Sequence, residues 1–247
     1  MKVIVAGATG FVATEVIRQA LSNRAITSLV ALARRPTPLP ETLAPNSETK
    51  KFKSVVCDDF NNYPEAVKEQ IAGADAVIWL IAITPSKSKL QPWDEVRKVC
   101  HDYTRTGLET MSQLHGDQKT APLRFIYTSG ANAQRDPSKK PWVLGGYCLM
   151  RGEVESTVIN YAKESGGRTN GIVIKAGWIN TIAGPNIIAK AIQTVGRSII
   201  SLPVLRVDEI AAALIHLAIY GSDKDTLLND EIAQLGQTAL EEEKATL

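Results

Sequence analysis

Residues 2–13 read KVIVAGATGFVA, an apolar run that two glycines interrupt before apolar residues resume at helical spacing. This pattern predicts a buried strand that turns sharply into a helix. The amides at such a helix start have no partner within the helix, and the helix dipole is positive there, so this end binds phosphate well. Gly7 suits the tight turn, and a side chain at Gly10 would keep a pyrophosphate off the backbone. We therefore predict a dinucleotide-binding corner, with an ordinary glycine-rich turn as the alternative.

The composition is that of a globular protein and excludes several classes of function. The chain has 247 residues, of which 44% are hydrophobic, and 28 Lys and Arg against 26 Asp and Glu give a net charge of +2. Without a basic face or a recognised nucleic-acid module, we expect no nucleic-acid partner. The longest apolar runs are strand-sized and the chain starts directly with a strand, so we expect an unprocessed, soluble, cytoplasmic protein with no membrane segment. The 3 cysteines and 3 histidines lack the spacing of a disulfide framework or a metal site, and no metal is predicted.

Short runs rich in Val and Ile alternate with helical patterns along the chain. The runs are residues 2–6, 28–33, 53–56, 76–81, 123–128 and 171–175, and the helical patterns include 96–114, 150–161, 186–195 and 207–220. This alternation predicts an α/β fold, a doubly wound (Rossmann) parallel sheet with helices on both faces. Residues 1–247 are predicted to form a single domain, in which the residues from about 176 to 247 contribute a small C-terminal substrate lid.

Three irregular segments follow predicted strands and are expected to surround the ligand crevice: residues 36–50, 84–92 and 130–146. Apolar residues in such loops favour an apolar substrate wall, although burial against the lid is an equal alternative. The residues concerned are Trp93, Trp142, Val143, Leu144, Trp178 and Ile179.

The end of the second strand bears on the choice of cofactor. It carries Arg34 and Arg35 with no carboxylate before them, which favours the 2′-phosphate of NADP over the free hydroxyl of NAD. A solvated basic turn is the alternative. Further candidates for the adenosine are Asp58 and Asp59 after the third strand and Leu80, Ile81 and Ala82 at the end of the fourth, where plain packing is nearly as good an interpretation.

Three polar residues in the second half of the chain are candidates for catalysis. Ser129 follows the fifth strand, Tyr147 stands 18 positions later, and Arg151 lies four residues beyond Tyr147. On a helix, Tyr147 and Arg151 share a face. A tyrosine hydroxyl can then exchange a proton with a carbonyl while the cation stabilises its phenolate and the serine polarises the same oxygen. A core aromatic with a snorkelling arginine is the alternative.

Motifs spread over nearly the whole chain support a family resemblance. They are GATGFVA (7–13), ARRP (33–36), CDDF (57–60), AGADAVIWLIA (72–82), HDYTRTGLETM (101–111), IYTSGA (126–131), YCLMRGEVE (147–155) and LPVLRVDEIA (202–211). With them the chain resembles the atypical short-chain dehydrogenase/reductase superfamily, within it the NmrA-like and Tat-interacting-protein-like group. The resemblance implies NADP(H) binding by Gly7, Thr9, Gly10, Phe11, Arg34 and Arg35. It also carries the family's catalytic tyrosine onto Tyr147 and its serine onto Ser129, and places Asp102 near a relay asparagine.

Two residues depart from the family's pattern. Arg151 replaces the lysine of the Y-x-x-x-K motif, and Ala176 replaces a proline after the sixth strand. A cation about 5 Å from the phenol is worth roughly 3 kcal/mol at an effective dielectric near 20, so an arginine can still assist the tyrosine. Its longer, planar guanidinium is less suited to holding the nicotinamide ribose at the same time.

These observations favour an NADPH-dependent reductase that acts on a carbonyl or conjugated double bond of a small, largely apolar organic molecule. A redox-neutral isomerase or cyclase and a non-enzymatic NADP(H)-sensing regulator remain alternatives on the same fold. The expected partner is a small-molecule substrate, and the oligomeric state, a homo-oligomer included, stays open.

Overall fold

A computed structural model describes residues 1–44, 46–116, 120–180 and 204–246 of the chain. The strands in these ranges are β1 (Lys2–Ala6), β2 (Ser28–Ala33), β3 (Phe52–Val56), β4 (Ala76–Trp79), β5 (Leu123–Gly130), β6 (Thr169–Ala176), β7 (Trp178–Asn180), β8 (Val204–Arg206) and β9 (Thr226–Leu228). The helices are α1 (Phe11–Ser22), α2 (Glu65–Ile71), α3 (Pro85–Ser88), α4 (Trp93–Arg97), α5 (Tyr103–Leu114), α6 (Gly145–Glu164), α7 (Val207–Tyr220) and α8 (Asn229–Thr246). A π-helical turn, Lys98–Asp102, joins α4 to α5, and short 3₁₀ turns lie at Thr49–Lys51 and Pro137–Lys139.

Seven strands form one parallel sheet in the order β3-β2-β1-β4-β5-β6-β9, and β7 pairs with β8 separately. The chain runs outward from β1 to β3, then returns to place β4 on the other side of β1. This reversal opens a crevice at the carboxyl ends of β1 and β4, where ligands of such sheets bind. The predicted doubly wound Rossmann sheet is therefore confirmed.

Both faces of the sheet are covered, which explains why its strands are continuously apolar in sequence. Successive residues of β1 alternate between two cores: Val3 and Val5 pack with α1 and α7, whereas Ile4 packs with α5 and α6. The second core is aromatic and includes Trp79, whose indole nitrogen donates a hydrogen bond to Thr104 Oγ1 at 2.9 Å. The helices packed on the two faces of the sheet therefore fix the positions of the strands that form the crevice.

Part of the C-terminal segment, which is predicted to contribute a substrate lid, also covers the sheet. Helix α7 packs against α1 and against β4 and β5, so it is one of the covering helices of the sheet. Strand β9 extends the sheet next to β6, and α8 packs on α7. The predicted helix near residues 186–195 lies outside the described residues, and the lid stays a prediction for that part of the chain.

One close contact within the aromatic core gives a stability prediction. A Cβ added at Gly107 of α5 would lie 2.2 Å from Trp79 Cη2. Gly107→Ala should therefore lower the free energy of unfolding by ~1–3 kcal/mol, the usual cost of overpacking a core. Thermal unfolding should show a lower Tm.

The matched control is Gly146→Ala in the first turn of α6. Its added Cβ meets nothing closer than Trp93 Cη2 at 4.0 Å, so the higher helix propensity of alanine should leave Tm unchanged or raised. Equal melting temperatures for Gly107→Ala and the unmodified chain would contradict the packing argument.

Candidate functional site

The corner between β1 and α1 has a backbone that only glycine adopts easily. Gly7 has φ +82°, and a Cβ there would lie 3.1 Å from the backbone nitrogen of Ile81. The amides of Gly7 and Ala8 both donate to Leu32 O, at 2.9 and 3.3 Å, which ties the corner to β2. Gly10 is the N-cap of α1 in an extended conformation, and its amide donates to Gly7 O at 3.0 Å.

The start of α1 presents amides that no described residue accepts from. These are the backbone N–H groups of Thr9, Phe11, Val12 and Ala13. Gly10 has no side chain with which to cap the helix, and the first turn carries no acidic residue. The donors and the positive end of the dipole together suit a diphosphate, so the residues present fit the dinucleotide predicted from the sequence.

A groove of about 540 Å³ runs from this corner to the loop after β2. Thr9, Thr14 and Arg35 are among the residues that line the groove. Pro36, Pro38 and Pro40 also line it, and their fixed φ angles stiffen the loop. Arg34 is exposed beside Arg35 but is not among the groove's lining residues.

The other residues predicted for adenosine have mixed surroundings. Asp59 accepts a hydrogen bond from the Asn61 amide at 3.0 Å and lies 3.7 Å from Lys98 Nζ. That backbone hydrogen bond, followed by contacts with Tyr103 and Lys98, lowers the pKa of Asp59, so its carboxylate stays an acceptor. Leu80 is half-buried directly behind Gly7, and Ala82 is exposed at the crevice. For these positions both binding and packing interpretations stay open.

Tyr147 and Arg151 lie one helical turn apart on α6, as predicted. The Tyr147 hydroxyl donates to Ile83 O at 2.8 Å, in the segment that follows β4 at the crevice. Arg151 is 4% exposed, and its Nη2 donates to Thr128 O at 2.5 Å while its guanidinium lies 4.9 Å from the centre of the Tyr127 ring. The cation therefore supports the tyrosine from inside the protein and is buried away from solvent.

Burial raises the pKa of Tyr147 to about 12, although the nearby charge of Arg151 acts in the opposite direction. The net result is a phenol that keeps its proton across the neutral pH range. Such a group is suited to giving a proton to a stronger base, such as an alkoxide, and poorly suited to removing one from an alcohol.

Ser129 has a partner that the sequence analysis did not identify. Its hydroxyl donates to Glu155 Oε1 at 2.5 Å, whereas the Tyr147 hydroxyl donates to Ile83 O. The structure places Ser129 and Tyr147 at the ends of adjacent elements but does not join the two hydroxyls. Glu155 lies four residues after Arg151 and eight after Tyr147, so helical spacing alone could have identified it on the same face.

The segment around Ile83 is held by the π-helical turn. Cys100 of this turn is buried, and its sulfur lies 3.2 Å from the amide nitrogen of Ile83, which donates to it. Asp102, predicted near a relay position, instead pairs with the His101 ring at 2.8 Å and keeps a half-exposed side chain. π-Helical turns are often found at functional sites, and here the turn supports the residue that Tyr147 contacts.

Several of the apolar loop residues predicted to line a substrate are exposed. Trp142 is 96% exposed, Trp178 is 54% exposed and Trp93 is 47% exposed. Trp93 lies over Gly146, the residue before Tyr147. An aromatic ring therefore flanks the start of the helix that carries the candidate proton donor.

The described ranges contain neither a metal site nor a membrane-spanning helix. There, no group of three His, Cys, Asp or Glu side chains is arranged to hold a metal ion. No helix in the same ranges has the length and apolar character needed to cross a membrane. Cys57, Cys100 and Cys148 are free and buried.

Comparisons with known proteins agree with this geometry. The profile of a protein family described as NAD(P)H-binding matches residues 7–160. No curated protein matches the sequence. Among solved structures, MoeE5 in complex with UDP-glucose and NAD has a TM-score of 0.64 at 16% identity, over 92% of this chain and 75% of that one.

Two further solved structures share the fold. A double mutant of DesIV, a dTDP-glucose 4,6-dehydratase from Streptomyces venezuelae with NAD bound, has a TM-score of 0.68 at 12% identity, over 99% of this chain and 81% of that one. A UDP-glucose 4-epimerase from Thermotoga maritima with UDP-glucose has a TM-score of 0.65 at 14% identity, over 98% and 82%. At these identities the similarity shows the Rossmann fold.

The raised pKa of Tyr147 gives a pH prediction. An unperturbed tyrosine has a pKa of about 10, so Tyr147 should ionise in the unfolded chain before it does so in the folded one. Its contribution to stability is complete below about pH 10 and is lost as pH rises towards 12. Difference spectra of the phenolate band between the unmodified chain and Tyr147→Phe should therefore appear only near pH 12.

Tyr220→Phe, which removes the hydroxyl of a residue that is 69% exposed, is the matched control for this subtraction. A Tyr147 difference spectrum that is already half developed at about pH 10, the ordinary pKa of tyrosine, would show that the hydroxyl is not buried as described.

Proposed function

The chain belongs to the NAD(P)H-binding family, and we propose that it is an NADPH-dependent reductase of a carbonyl or conjugated double bond in a small, largely apolar organic molecule. Two neighbouring observations carry the proposal: the amides at the start of α1 have no acceptor among the described residues, and Thr9 lines one groove together with Arg35. One surface thus offers donors for a diphosphate and a guanidinium for a further phosphate.

In this proposal the amides of Thr9, Phe11, Val12 and Ala13 hold the diphosphate of NADP(H). Arg35, with Arg34 beside it, holds the 2′-phosphate, because a guanidinium forms bidentate bonds with such a group and no carboxylate stands before the two arginines at the end of β2. Gly7 keeps the corner open by bringing the backbone against the end of β4.

When bound, NADPH supplies the hydride. Tyr147 supplies the proton, which leaves its hydroxyl for the developing alkoxide or enolate once the substrate oxygen replaces Ile83 O as acceptor. The raised pKa of Tyr147 favours this direction, since the reverse reaction would require a phenolate. Arg151 stabilises the phenolate left after transfer through its charge.

Exposed aromatic side chains support the proposed substrate class. Trp93 flanks the start of α6, and Trp142 and Trp178 expose large apolar surfaces in segments that follow β5 and β6 on the ligand side. Exposed aromatic surface of this size favours an apolar ligand.

A second candidate function is an NADP(H)-sensing regulatory protein of the NmrA-like kind. The observation that favours it is that both candidate catalytic hydroxyls donate to acceptors inside the protein, and that Arg151 is buried where a lysine would reach the ribose. In this function the nucleotide pocket would be used without turnover.

One experiment separates these functions. The purified chain is titrated with NADPH and NADH and then incubated with small carbonyl and enone compounds while the reduced-nicotinamide absorbance is followed. Stoichiometric oxidation of NADPH supports the reductase. Conversion without net oxidation identifies a redox-neutral isomerase or cyclase, and tight binding without any conversion supports the sensor.

The cofactor assignment predicts a change in nucleotide preference. Arg34→Ala combined with Arg35→Ala should weaken NADPH binding by roughly 2–4 kcal/mol, for two charge-assisted contacts, and NADH binding far less. Arg35→Ala alone should account for most of the loss, because only Arg35 lines the groove. Calorimetric titration measures both affinities. The control is Arg24→Ala, which changes an exposed arginine just beyond the other end of α1. An equal loss of NADPH and NADH affinity in the Arg34 and Arg35 variants would refute the assignment.

The proton-donor assignment predicts a loss confined to turnover. Tyr147→Phe keeps the ring packing and removes only the hydroxyl, so it should abolish reduction while the affinity for NADPH stays nearly unchanged. Tyr161→Phe, on the same helix, is the control. Full activity of Tyr147→Phe would exclude the hydroxyl from the mechanism.

A further inference from the structure

We infer that Glu155 fixes Ser129 as a hydrogen-bond acceptor, so that the ligand group that meets Ser129 must carry the hydrogen, as a hydroxyl, amine or amide N–H. This assigns Ser129 the opposite polarity to that expected for a residue that polarises a carbonyl oxygen. Glu155 is then a positioning residue that acts through Ser129. The part of the inference that concerns a substrate rests on the proposed reductase function.

Glu155 is a carboxylate that has no solvent exposure and several partners. One oxygen, Oε1, accepts from Ser129 Oγ at 2.5 Å. The other, Oε2, accepts from Arg135 Nε at 2.7 Å and lies 3.4 Å from Lys175 Nζ. A buried carboxylate with two cations against one oxygen is ionised, since its charge is balanced within hydrogen-bond distance.

The location of the hydrogen follows from this charge. An ionised carboxylate has no hydrogen to donate, so the hydrogen between Glu155 and Ser129 belongs to the serine. A serine hydroxyl has one hydrogen and two lone pairs. Once that hydrogen points to Glu155, Ser129 can only accept from any further group.

The surrounding contacts hold Arg135 and Lys175, the two cations against Glu155, in place. Lys175 Nζ also donates to Ala133 O at 2.6 Å, and Arg135 Nη2 donates to Thr226 Oγ1 at 2.9 Å. These bonds tie the loop after β5 to β6 and β9. If Ser129 turned its hydrogen to a ligand, Oε1 of a fully buried carboxylate would lose its only described partner, which is costly.

The two hydroxyls at the crevice therefore have opposite roles. Tyr147 brings a hydrogen to the ligand, whereas Ser129 offers lone pairs. Ser129 is the penultimate residue of β5, at the carboxyl edge of the sheet where ligands bind. Two groups could bring the required hydrogen in the proposed reaction: the carboxamide N–H of the cofactor, and a hydroxyl next to the carbonyl in substrates that carry one.

The polarity itself is tested without turnover, by NMR of the whole chain: the carboxyl carbon of Glu155 should have the chemical shift of an ionised carboxylate, and the serine hydroxyl should appear in the proton spectrum. A hydroxyl proton in so short a bond to a carboxylate should give a downfield, slowly exchanging resonance. The resonance should be present in the unmodified chain, lost in Ser129→Ala and Glu155→Gln, and restored by Ser129→Thr, which keeps the hydroxyl. The matched control is Glu153→Gln, an exposed glutamate on the same helix, which should retain it. Survival of the resonance in Ser129→Ala would overturn the inference, and this variant decides the matter even where Glu155→Gln does not fold.

The source of the ligand's hydrogen is tested with two probes, NADPH and a pair of compounds that differ only by a hydroxyl next to the carbonyl. Ser129→Ala should lower the preference for the hydroxy ketone by roughly two- to tenfold if the substrate supplies the hydrogen, or weaken NADPH binding by a similar factor if the cofactor does. No change in either quantity would overturn the inference while leaving the reductase intact. If no compound oxidises NADPH, the proposed reductase fails, and the resonance with the NADPH affinity still decides the polarity of Ser129.

Discussion

The close approach of Gly7 to the end of β4 is the constraint on which the site depends. Gly7 has a positive φ, and a Cβ at this position would lie 3.1 Å from Ile81 N, so the chain can pass from β1 to α1 here only without a side chain. The amides of Gly7 and Ala8 are already bonded to Leu32 O, so the corner cannot rotate. Its rigidity aims the remaining amides at the start of α1 into the crevice, and it sets where the chain after β4 must run.

That chain links the nucleotide corner to the second half of the site. The segment that packs behind Gly7 continues to Ile83, whose amide is held by Cys100 and whose carbonyl accepts the Tyr147 hydroxyl. From Tyr147, residues at successive four-residue intervals on α6 lead to Arg151 and Glu155. Because side chains four residues apart lie on one face of a helix, α6 fixes the distances between the side chains of Tyr147, Arg151 and Glu155.

The sequence was sufficient for features that depend on local spacing. The parallel sheet, the glycine corner and α7 at Val207–Tyr220 follow from periodicity, since burial on both faces makes strands continuously apolar. Features that depend on distant partners could not be predicted. Strand β4 ends at Trp79 and not at the predicted Ile81, and the backbone of the next two residues packs against Gly7. The pairing of Ser129 with Glu155 joins residues 26 positions apart. Helix α7 shares one hydrophobic core with α1 and the sheet, although the two helices are far apart in the sequence.

The arginine at position 151 is best understood from where its charge lies. A lysine of the Y-x-x-x-K kind can reach outward to a ribose, but the Arg151 guanidinium stacks against Tyr127 and donates to Thr128 O within the core. Its charge still acts on Tyr147 through a medium of low dielectric, where Coulomb interactions are strong. Its Nη2 donates to Thr128 O, whereas its buried Nη1 has no hydrogen-bond partner among the described residues. In the proposed reductase, the substitution would separate two tasks that one lysine combines, and Arg151 would take part in proton transfer through its charge.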